Sequence, residues 1–148
     1  MARYGSGSGG TLPANASMLA FAGSVPPEPL PYRATYAATK GYMVTFTRTL
    51  AAELGDAPVL LQVLCPGYTA TEFHMSNRSD PVADTPGEEP WAMSAADVVQ
   101  ASLVALDTGE EVCIPGLDDP AAIAGLLAAE KDLRGAMRRE VASRYAGS

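Results

Sequence analysis

The sequence predicts an α/β fold with a small parallel sheet, and three observations lead to this prediction. Apolar runs of strand length alternate along the chain with longer segments whose apolar residues recur at helical spacing. The run VLLQVLCPG is continuously apolar, which is typical of a strand that is buried on both faces. Proline and glycine stand at the ends of these segments. Strands that alternate with helices imply right-handed crossovers, and therefore a parallel sheet with helices on its faces.

The first part of the chain predicts a strand, a loop and a helix. Residues 1–13 are rich in glycine and serine, so we expect a flexible head. The letters ANASMLAF, which begin at Ala14, predict a strand that leads into a loop. GSVPPEPLPYRA follows with four prolines, which lack the N–H donor and indicate an extended or turning loop. A helix is predicted from Tyr36 to Leu54, and Gly55 is expected to end it.

The remainder predicts two strands and two helices. VLLQVLCPG is the buried strand, and residues 68–93 are expected to be irregular because they are rich in serine, aspartate, proline and glutamate. The letters SAAD at Ser94–Asp97 are typical of a helix start, and this helix is expected to end near Gly109. After the short strand EEVCIPGL, Asp119 can cap a last helix with Pro120 in its first position. The apolar residues of that helix recur at helical spacing, so we expect one face of it to pack inward.

These elements predict three parts: a flexible head (1–13), an α/β region (14–118) and an amphipathic C-terminal helix (119–148). A chain of 148 residues suits one domain that can bury a core. The net charge of −7 argues against a nucleic-acid binder, which needs a basic face. No apolar run reaches the ~18 residues that a membrane-spanning helix needs, so we expect no membrane partner.

The thiols and the single histidine do not form a recognisable metal site. Cys65 and Cys113 lack the C-x-x-C spacing of a zinc site and do not suggest a disulfide framework. His74 is the sole histidine, and its alternatives are a pocket-lining residue or, as we favour, an exposed loop residue. We therefore expect no metal and a reduced, cytoplasmic setting.

Tyr36 and Lys40 stand four residues apart at the start of the first long helix. Side chains at i and i+4 share a helix face, so the phenol and the ammonium are expected to be neighbours. A free phenol, with a pKa of about 10, is a poor acid–base group at neutral pH. A nearby positive charge favours the ionised phenol and brings it closer to the range that suits proton transfer. The pair therefore indicates either a proton-transfer site or a partly buried tyrosine beside a surface lysine.

Three short motifs in order resemble those of the short-chain dehydrogenase/reductase family. NAS is similar to the serine segment of that family, YAATK to its YxxxK motif, and PGYTAT to its PGxxxT element. AADVVQASLVALDTGEEVCIPGL also resembles the closing helix and strand of bacterial members. The resemblance covers most of residues 14–118. It implies a partial Rossmann-like three-layer fold, the C-terminal half of a doubly wound domain.

The resemblance also implies a role for each matched residue. Tyr36 would be the general acid/base, Lys40 would assist it and bind the nicotinamide ribose, and Ser17 would hydrogen-bond the substrate carbonyl. The cofactor would be NAD or NADP, and the substrate a small carbonyl or alcohol compound. The cofactor-binding residues that it implies are Tyr36, Lys40, Pro66, Gly67 and Thr71.

Two of these assignments have alternatives. Ser17 lies nineteen residues before Tyr36, which is farther than the family usually allows, so the proline-rich loop must bulge for Ser17 to reach the site. Ser24 is the rival serine, and Ser17 would then be a turn residue. Thr71 would otherwise cap a following helix.

The sequence lacks the features that bind the rest of a dinucleotide in this family. GSGSGG has the composition of a phosphate loop, but no buried strand delivers it to a helix N-terminus, and Pro13 follows where a helix would begin. We therefore expect a truncated, C-terminal piece of a dehydrogenase with weak or no dinucleotide binding of its own. The alternative function is an inactive relative that acts as a dimerisation or protein-interaction module, and a homo-oligomer is possible under either reading.

Overall fold

The structure, a computed structural model, describes residues 10–22, 33–70 and 92–145. The chain divides into two units, Met1–Gly116 and Leu117–Ser148. Within the described ranges the strands are β1 (Gly10–Asn15), β2 (Val59–Leu64), β3 (Thr69–Ala70), β4 (Met93–Ser94) and β5 (Val112–Cys113). The α-helices are α1 (Leu19–Ala22), α2 (Ala34–Leu54), α3 (Ala95–Thr108) and α4 (Ala121–Ala136), and a 3-10 turn spans Ser143–Tyr145.

The main sheet of the first unit has the strand order β1-β2-β5, and both pairings are parallel. The central strand β2 is the VLLQVL segment, and four of its six residues are buried. Gln62 is covered by α3 through Ser102, whereas the neighbouring Val63 packs with Val44 of α2. Because successive side chains of a strand point to opposite faces, these two contacts place a helix on each face of the sheet. The predicted α/β fold with a parallel sheet is confirmed.

Strand β1 begins at Gly10, so residues 10–13 of the predicted flexible head belong to the sheet. In a strand, alternate residues direct their N–H and C=O groups to the same neighbouring strand. The N–H of Ala16 donates to the carbonyl of Leu64 at 2.7 Å, so the residues at 14, 12 and 10 also direct these groups towards β2. Pro13 lies out of phase with this set and removes no hydrogen bond from the ladder, which is how a strand tolerates proline. Pairing with an apolar neighbour therefore overrides the local composition of the head.

The strand predicted for ANASMLAF ends at Asn15, and the last letters of that segment form the one-turn helix α1 instead. The helix is held at its start by two local hydrogen bonds, from Ala20 N–H to the carbonyl of Ser17 and from Phe21 N–H to the carbonyl of Met18, both 3.0 Å. Phe21 also packs against the buried core. This packing is a contact between elements, so the local sequence does not reveal the helix that depends on it.

Helix α2 runs two residues farther towards the N-terminus than predicted and ends at Leu54 as expected. Gly55 follows with a φ of 54°, and its N–H donates to the carbonyl of Ala51. Helix α3 begins as the SAAD motif predicts: the Ser94 hydroxyl accepts from the Asp97 N–H at 3.1 Å and donates to the Asp97 carboxylate at 2.7 Å. It ends at Gly109, whose left-handed φ of 77° favours glycine.

The second unit contains α4, which is shorter and more exposed than predicted. The Asp119 carboxylate accepts from the Ala121 N–H at 2.9 Å and so caps the helix. The helix ends at Ala136, and no residue of it is buried. The expectation that its apolar face packs inward is therefore wrong. Neighbouring charged residues and glycines at 125 and 135 give the helix too little apolar surface to define its own core.

The predicted irregular segment 68–93 has ordered ends. Its first residues form β3, which pairs in parallel with β4 through Thr69 with Met93 and Ala70 with Ser94. The N–H of Met93 also donates to the carbonyl of Tyr68 at 3.0 Å. The two ends of this segment are therefore held together beside the start of α3.

Candidate active site

The strands of the main sheet end at one edge because they are parallel. β1 ends at Asn15, β2 at Leu64 and β5 at Cys113, and Leu64 is the register partner of both others. In open α/β sheets ligands bind at the carboxyl edge of the strands. The residues that follow these ends are therefore the candidates for a site.

Lys40 connects helix α2 to this edge. Its ammonium donates a hydrogen bond to the carbonyl oxygen of Asn15 at 3.2 Å. The same nitrogen lies 5.5 Å from the centroid of the Tyr36 ring, so the two side chains meet as their spacing predicts. Both side chains are half-buried. The tyrosine–lysine pair thus stands at the end of β1 and not on a remote helix surface.

Ser17 is buried just past the end of β1, with 8% of its surface exposed. Its hydroxyl oxygen accepts from the Leu19 N–H at 3.2 Å, which leaves the hydroxyl hydrogen available to donate. The next residue, Met18, donates its N–H to the carbonyl of Pro66 at 2.9 Å. Pairing between the two strands therefore continues past their ends and fixes Ser17 at the sheet edge, despite its long separation from Tyr36 in sequence.

Cys65 is a neighbour of the site that the motifs did not single out. It is fully buried, and burial raises the pKa of its thiol to about 12. A hydrogen bond from the Ser17 main chain and the positive charge of Lys40 lower the pKa, while Cys113 raises it. The Ser17 main chain therefore lies against this sulfur, just past the end of β2. The sequence signal for Cys65 is its position between a buried strand and Pro66.

The Pro66–Gly67 turn presents main chain at the same edge. The Gly67 carbonyl accepts from the Thr69 hydroxyl at 3.2 Å, and Gly67 is exposed. A Cβ built at Gly67 would meet no atom of the described residues within 4 Å, so nothing among them crowds the turn. Thr71, Ser24 and His74 lie outside the described residues, and the roles predicted for them stay predictions.

Within the described ranges, no group of three or more histidine, cysteine, aspartate or glutamate side chains is arranged to hold a metal ion. None of the helices in those ranges combines the length and the apolarity that a crossing of the bilayer requires.

Comparison with known proteins relates this geometry to one family. The sequence model of the short chain dehydrogenase family matches residues 17–82, a range that includes Ser17, Tyr36, Lys40 and the Pro66–Gly67 turn. The acetoacetyl-CoA reductase of an Acinetobacter species is 32% identical over 92 residues, which cover 57% of this chain and 37% of that protein.

Solved structures extend the similarity to almost the whole chain. A short-chain dehydrogenase from Sphingobium yanoikuyae in complex with NADPH is 27% identical with a TM-score of 0.76, covering 91% of this chain and 49% of that one. A bulky-bulky ketone specific alcohol dehydrogenase from Comamonas testosteroni is 25% identical with a TM-score of 0.72. The match covers 93% of this chain and 47% of that one. The chain thus spans about half the length of these structures. The family model, the reductase and these structures together support its membership of the short-chain dehydrogenase/reductase family.

Proposed function

We propose that this chain carries the substrate and nicotinamide half of an oxidoreductase site that interconverts a carbonyl and an alcohol with NAD or NADP. The observation that carries the proposal is the position of Lys40, which joins the Tyr36 ring to the end of β1. This position brings a phenol, an ammonium and the buried Ser17 to the edge where α/β proteins bind ligands. The relatives that are solved with NADPH and NADP support the cofactor class.

Each of the three side chains has a part in the proposed reaction. Tyr36 donates a proton to the carbonyl oxygen during reduction and takes it back during oxidation. Lys40 positions the Tyr36 ring, which its ammonium contacts while it donates to the Asn15 carbonyl at the end of β1. Ser17, whose oxygen already accepts from Leu19, directs its hydroxyl hydrogen to the substrate oxygen and stabilises the negative charge that develops there.

The described residues fit the nicotinamide end of the cofactor. Lys40 uses one of its three ammonium hydrogens on Asn15, which leaves two for the ribose hydroxyls. The open space beside Gly67 leaves room for a flat ring against the main chain. The nicotinamide, when bound, supplies the hydride, and the protein supplies orientation and the proton. The pyrophosphate and adenine would be held outside these elements, because the sequence shows no strand that delivers a glycine-rich turn to a helix N-terminus.

A chimera tests the proposal. Residues 10–118 of this chain would replace the segment that they match in the Sphingobium yanoikuyae dehydrogenase, which is solved in complex with NADPH. We expect the chimera to consume NADPH in the presence of a small ketone, and the chain alone to bind NADPH more weakly than micromolar in calorimetry. A chimera that folds and binds NADPH but reduces none of a panel of ketones would contradict the proposal.

An interaction module without activity is the second candidate function. It is favoured by exposed apolar side chains on α2, where Tyr42 and Phe46 are 65% and 48% exposed and stack with their ring centroids 5.7 Å apart. Exposed aromatic pairs of this kind are common at protein interfaces. The inactive chimera described above is the result that would favour this candidate.

A further inference from the structure

Helix α1 and Ser17 form one unit at the end of β1. The Ser17 hydroxyl accepts from the Leu19 N–H at 3.2 Å, and the Ser17 carbonyl accepts from the Ala20 N–H at 3.0 Å. Ser17 therefore caps the first turn of α1 with both its side chain and its main chain, as an N-cap residue does. A displacement of α1 would carry the Ser17 hydroxyl with it.

Helix α1 lies against α2 at a glycine. Ala20 and Phe21 of α1 pack on the buried core cluster that includes Val44 of α2. Gly41 lies one turn before Val44, and a Cβ built on it would stand 3.9 Å from the carbonyl oxygen of Ala20. This distance is an ordinary van der Waals contact. The main chain of α1 is therefore as close to α2 as a single methyl group at position 41 allows.

Gly41 directly follows Lys40, so α1 packs on the turn of α2 that carries the Tyr36–Lys40 pair. The start of α1 is also joined to the sheet, because the Met18 N–H donates to the Pro66 carbonyl at 2.9 Å. Ser17 is thus held from two sides, by the end of β2 and by α2. The closeness of α1 to α2 sets how far its hydroxyl lies from the pair.

We propose that Gly41 is a positioning residue of the candidate site. Its lack of a side chain lets α1 approach α2, and this approach places the Ser17 hydroxyl beside Tyr36 and Lys40. The effect on the reaction rests on the function proposed above, whereas the placement of Ser17 does not.

Two substitutions at position 41 differ in whether they fit beside α1. Alanine adds only the Cβ, which makes an ordinary contact with Ala20. Valine adds two methyl groups beyond that Cβ, and its rotamer in a helix is nearly fixed, so it has little freedom to turn both away from α1. We therefore expect Gly41→Val, but not Gly41→Ala, to displace α1.

Amide hydrogen exchange of the full chain, followed by NMR, tests this placement without relying on activity. The N–H of Ala20, bonded to Ser17, reports on the start of α1. The N–H of Cys65, bonded to the Cys113 carbonyl at 2.7 Å, reports on the sheet. In Gly41→Val we expect the Ala20 N–H to exchange at least about 10-fold faster relative to the Cys65 N–H.

Gly41→Ala and the matched control Ala52→Val should keep this ratio of exchange rates at its wild-type value. The first adds a Cβ that fits, and the second puts the same branched side chain at an exposed position of α2. If Gly41→Val leaves the ratio unchanged, or changes it no more than Ala52→Val does, the proposal is overturned, since α1 then keeps its place without the glycine.

The chimera described above shows whether the placement acts through Ser17. We expect Gly41→Val to lower kcat for ketone reduction about 10- to 100-fold, with the KM for NADPH unchanged. Ser17→Ala removes the hydroxyl, so adding Gly41→Val to it should lower kcat no further. A further loss of the same size would contradict the proposal, because Gly41 would then act independently of Ser17.

Failure of the proposed function gives a different result. A chimera in which the wild type and Ser17→Ala are equally slow would count against the oxidoreductase site itself. The ratio of exchange rates in the full chain would still decide whether Gly41 sets the place of Ser17.

Discussion

Lys40 is the residue on which the geometry of the candidate site depends most. Its nitrogen binds the Asn15 carbonyl at 3.2 Å and lies over the Tyr36 ring, so it joins helix α2 to the end of β1. The hydrogen bond is at a half-buried position, where a charge-assisted bond contributes modestly to stability. Its larger effect is expected on the reaction, because it holds a positive charge beside the phenol.

The variant Lys40→Met tests whether Lys40 affects the reaction more than it affects stability. In the chimera we expect its rate of carbonyl reduction to fall at least 100-fold, because the variant lacks the ammonium that joins the Tyr36 ring to the end of β1 and that is proposed to bind the nicotinamide ribose. The free energy of unfolding of the full chain should fall by no more than about 1.5 kcal/mol, measured with urea. Glu53→Met is the control, since that charged residue lies exposed on the same helix and inside the exchanged segment. Equal rates for the two variants would remove Lys40 from the reaction.

Cys65 predicts a pH dependence of stability. Its pKa is raised from an ordinary 9.0 to about 12, mainly by burial. Above pH 9 the thiol of the unfolded chain loses its proton, whereas the buried thiol of the folded chain keeps it. The unfolded state then binds fewer protons than the folded state. The free energy of unfolding therefore falls as the pH rises towards 12.

The comparison of wild type with Cys65→Ala isolates this group, because the tyrosines and lysines titrate equally in both. Between pH 9 and 12 we expect the wild type to lose stability relative to the variant by about 1.4 kcal/mol per pH unit. Urea denaturation at each pH provides the measurement. Parallel curves for the two proteins would show that the Cys65 thiol is not protected from ionisation by burial.

The sequence predicts the meeting of Tyr36 and Lys40 because helix geometry alone brings i and i+4 together. It does not predict the hydrogen bond from Lys40 to Asn15, since those residues are 25 positions apart and meet only when α2 packs on the sheet. The hydrogen bond from the Cys65 N–H to the Cys113 carbonyl likewise depends on strand order. Contacts within one helix can be derived from spacing, whereas contacts between elements require the topology.

At the scale of elements, one polar pair joins the sheet to helix α3. Gln62 is fully buried in β2, and Ser102 is 8% exposed. The Ser102 hydroxyl donates to the side-chain oxygen of Gln62 at 2.6 Å. The side-chain NH₂ of Gln62 donates to the main-chain oxygen of Ser102 at 3.2 Å. A buried amide whose groups are satisfied in this way favours one position of α3 against β2.

Ser102→Ala should therefore destabilise the chain by about 1–3 kcal/mol, because it leaves a buried amide oxygen without its donor. Urea denaturation followed by circular dichroism measures the change. The double variant with Gln62→Leu should recover part of the loss, since both polar partners are then absent. If the single variant loses less than about 0.5 kcal/mol, the pair does not contribute to the packing of α3.

The elements differ in how far sequence alone predicts them. β2, α2 and α3 follow from apolar pattern and capping residues, and the Ser94 and Gly109 caps are as expected. β1 includes Gly10 and Pro13, whose local preferences oppose a strand, and only its pairing with β2 explains it. Helix α4 shows the reverse case: its pattern predicts a buried face, and its side chains are exposed.

At the scale of the whole molecule, the two units have different surfaces. The first unit has a sheet covered by α2 and α3, with the candidate site at its carboxyl edge. The second unit consists of α4 and the turn at Ser143–Tyr145, and none of its described residues is buried. The proposed reaction therefore depends on the first unit.

The most direct test of the proposed site compares two tyrosines of α2 in the chimera. Tyr36 stands beside Lys40 at the sheet edge, and Tyr42 is 65% exposed on the same helix. We expect Tyr36→Phe to lower the rate of carbonyl reduction by about 100- to 10,000-fold. Its affinity for NADPH should not fall enough to account for this loss. Tyr42→Phe should keep the rate. Equal rates for the two variants would contradict the assignment of Tyr36 as the proton donor and, with it, the oxidoreductase site proposed for this chain.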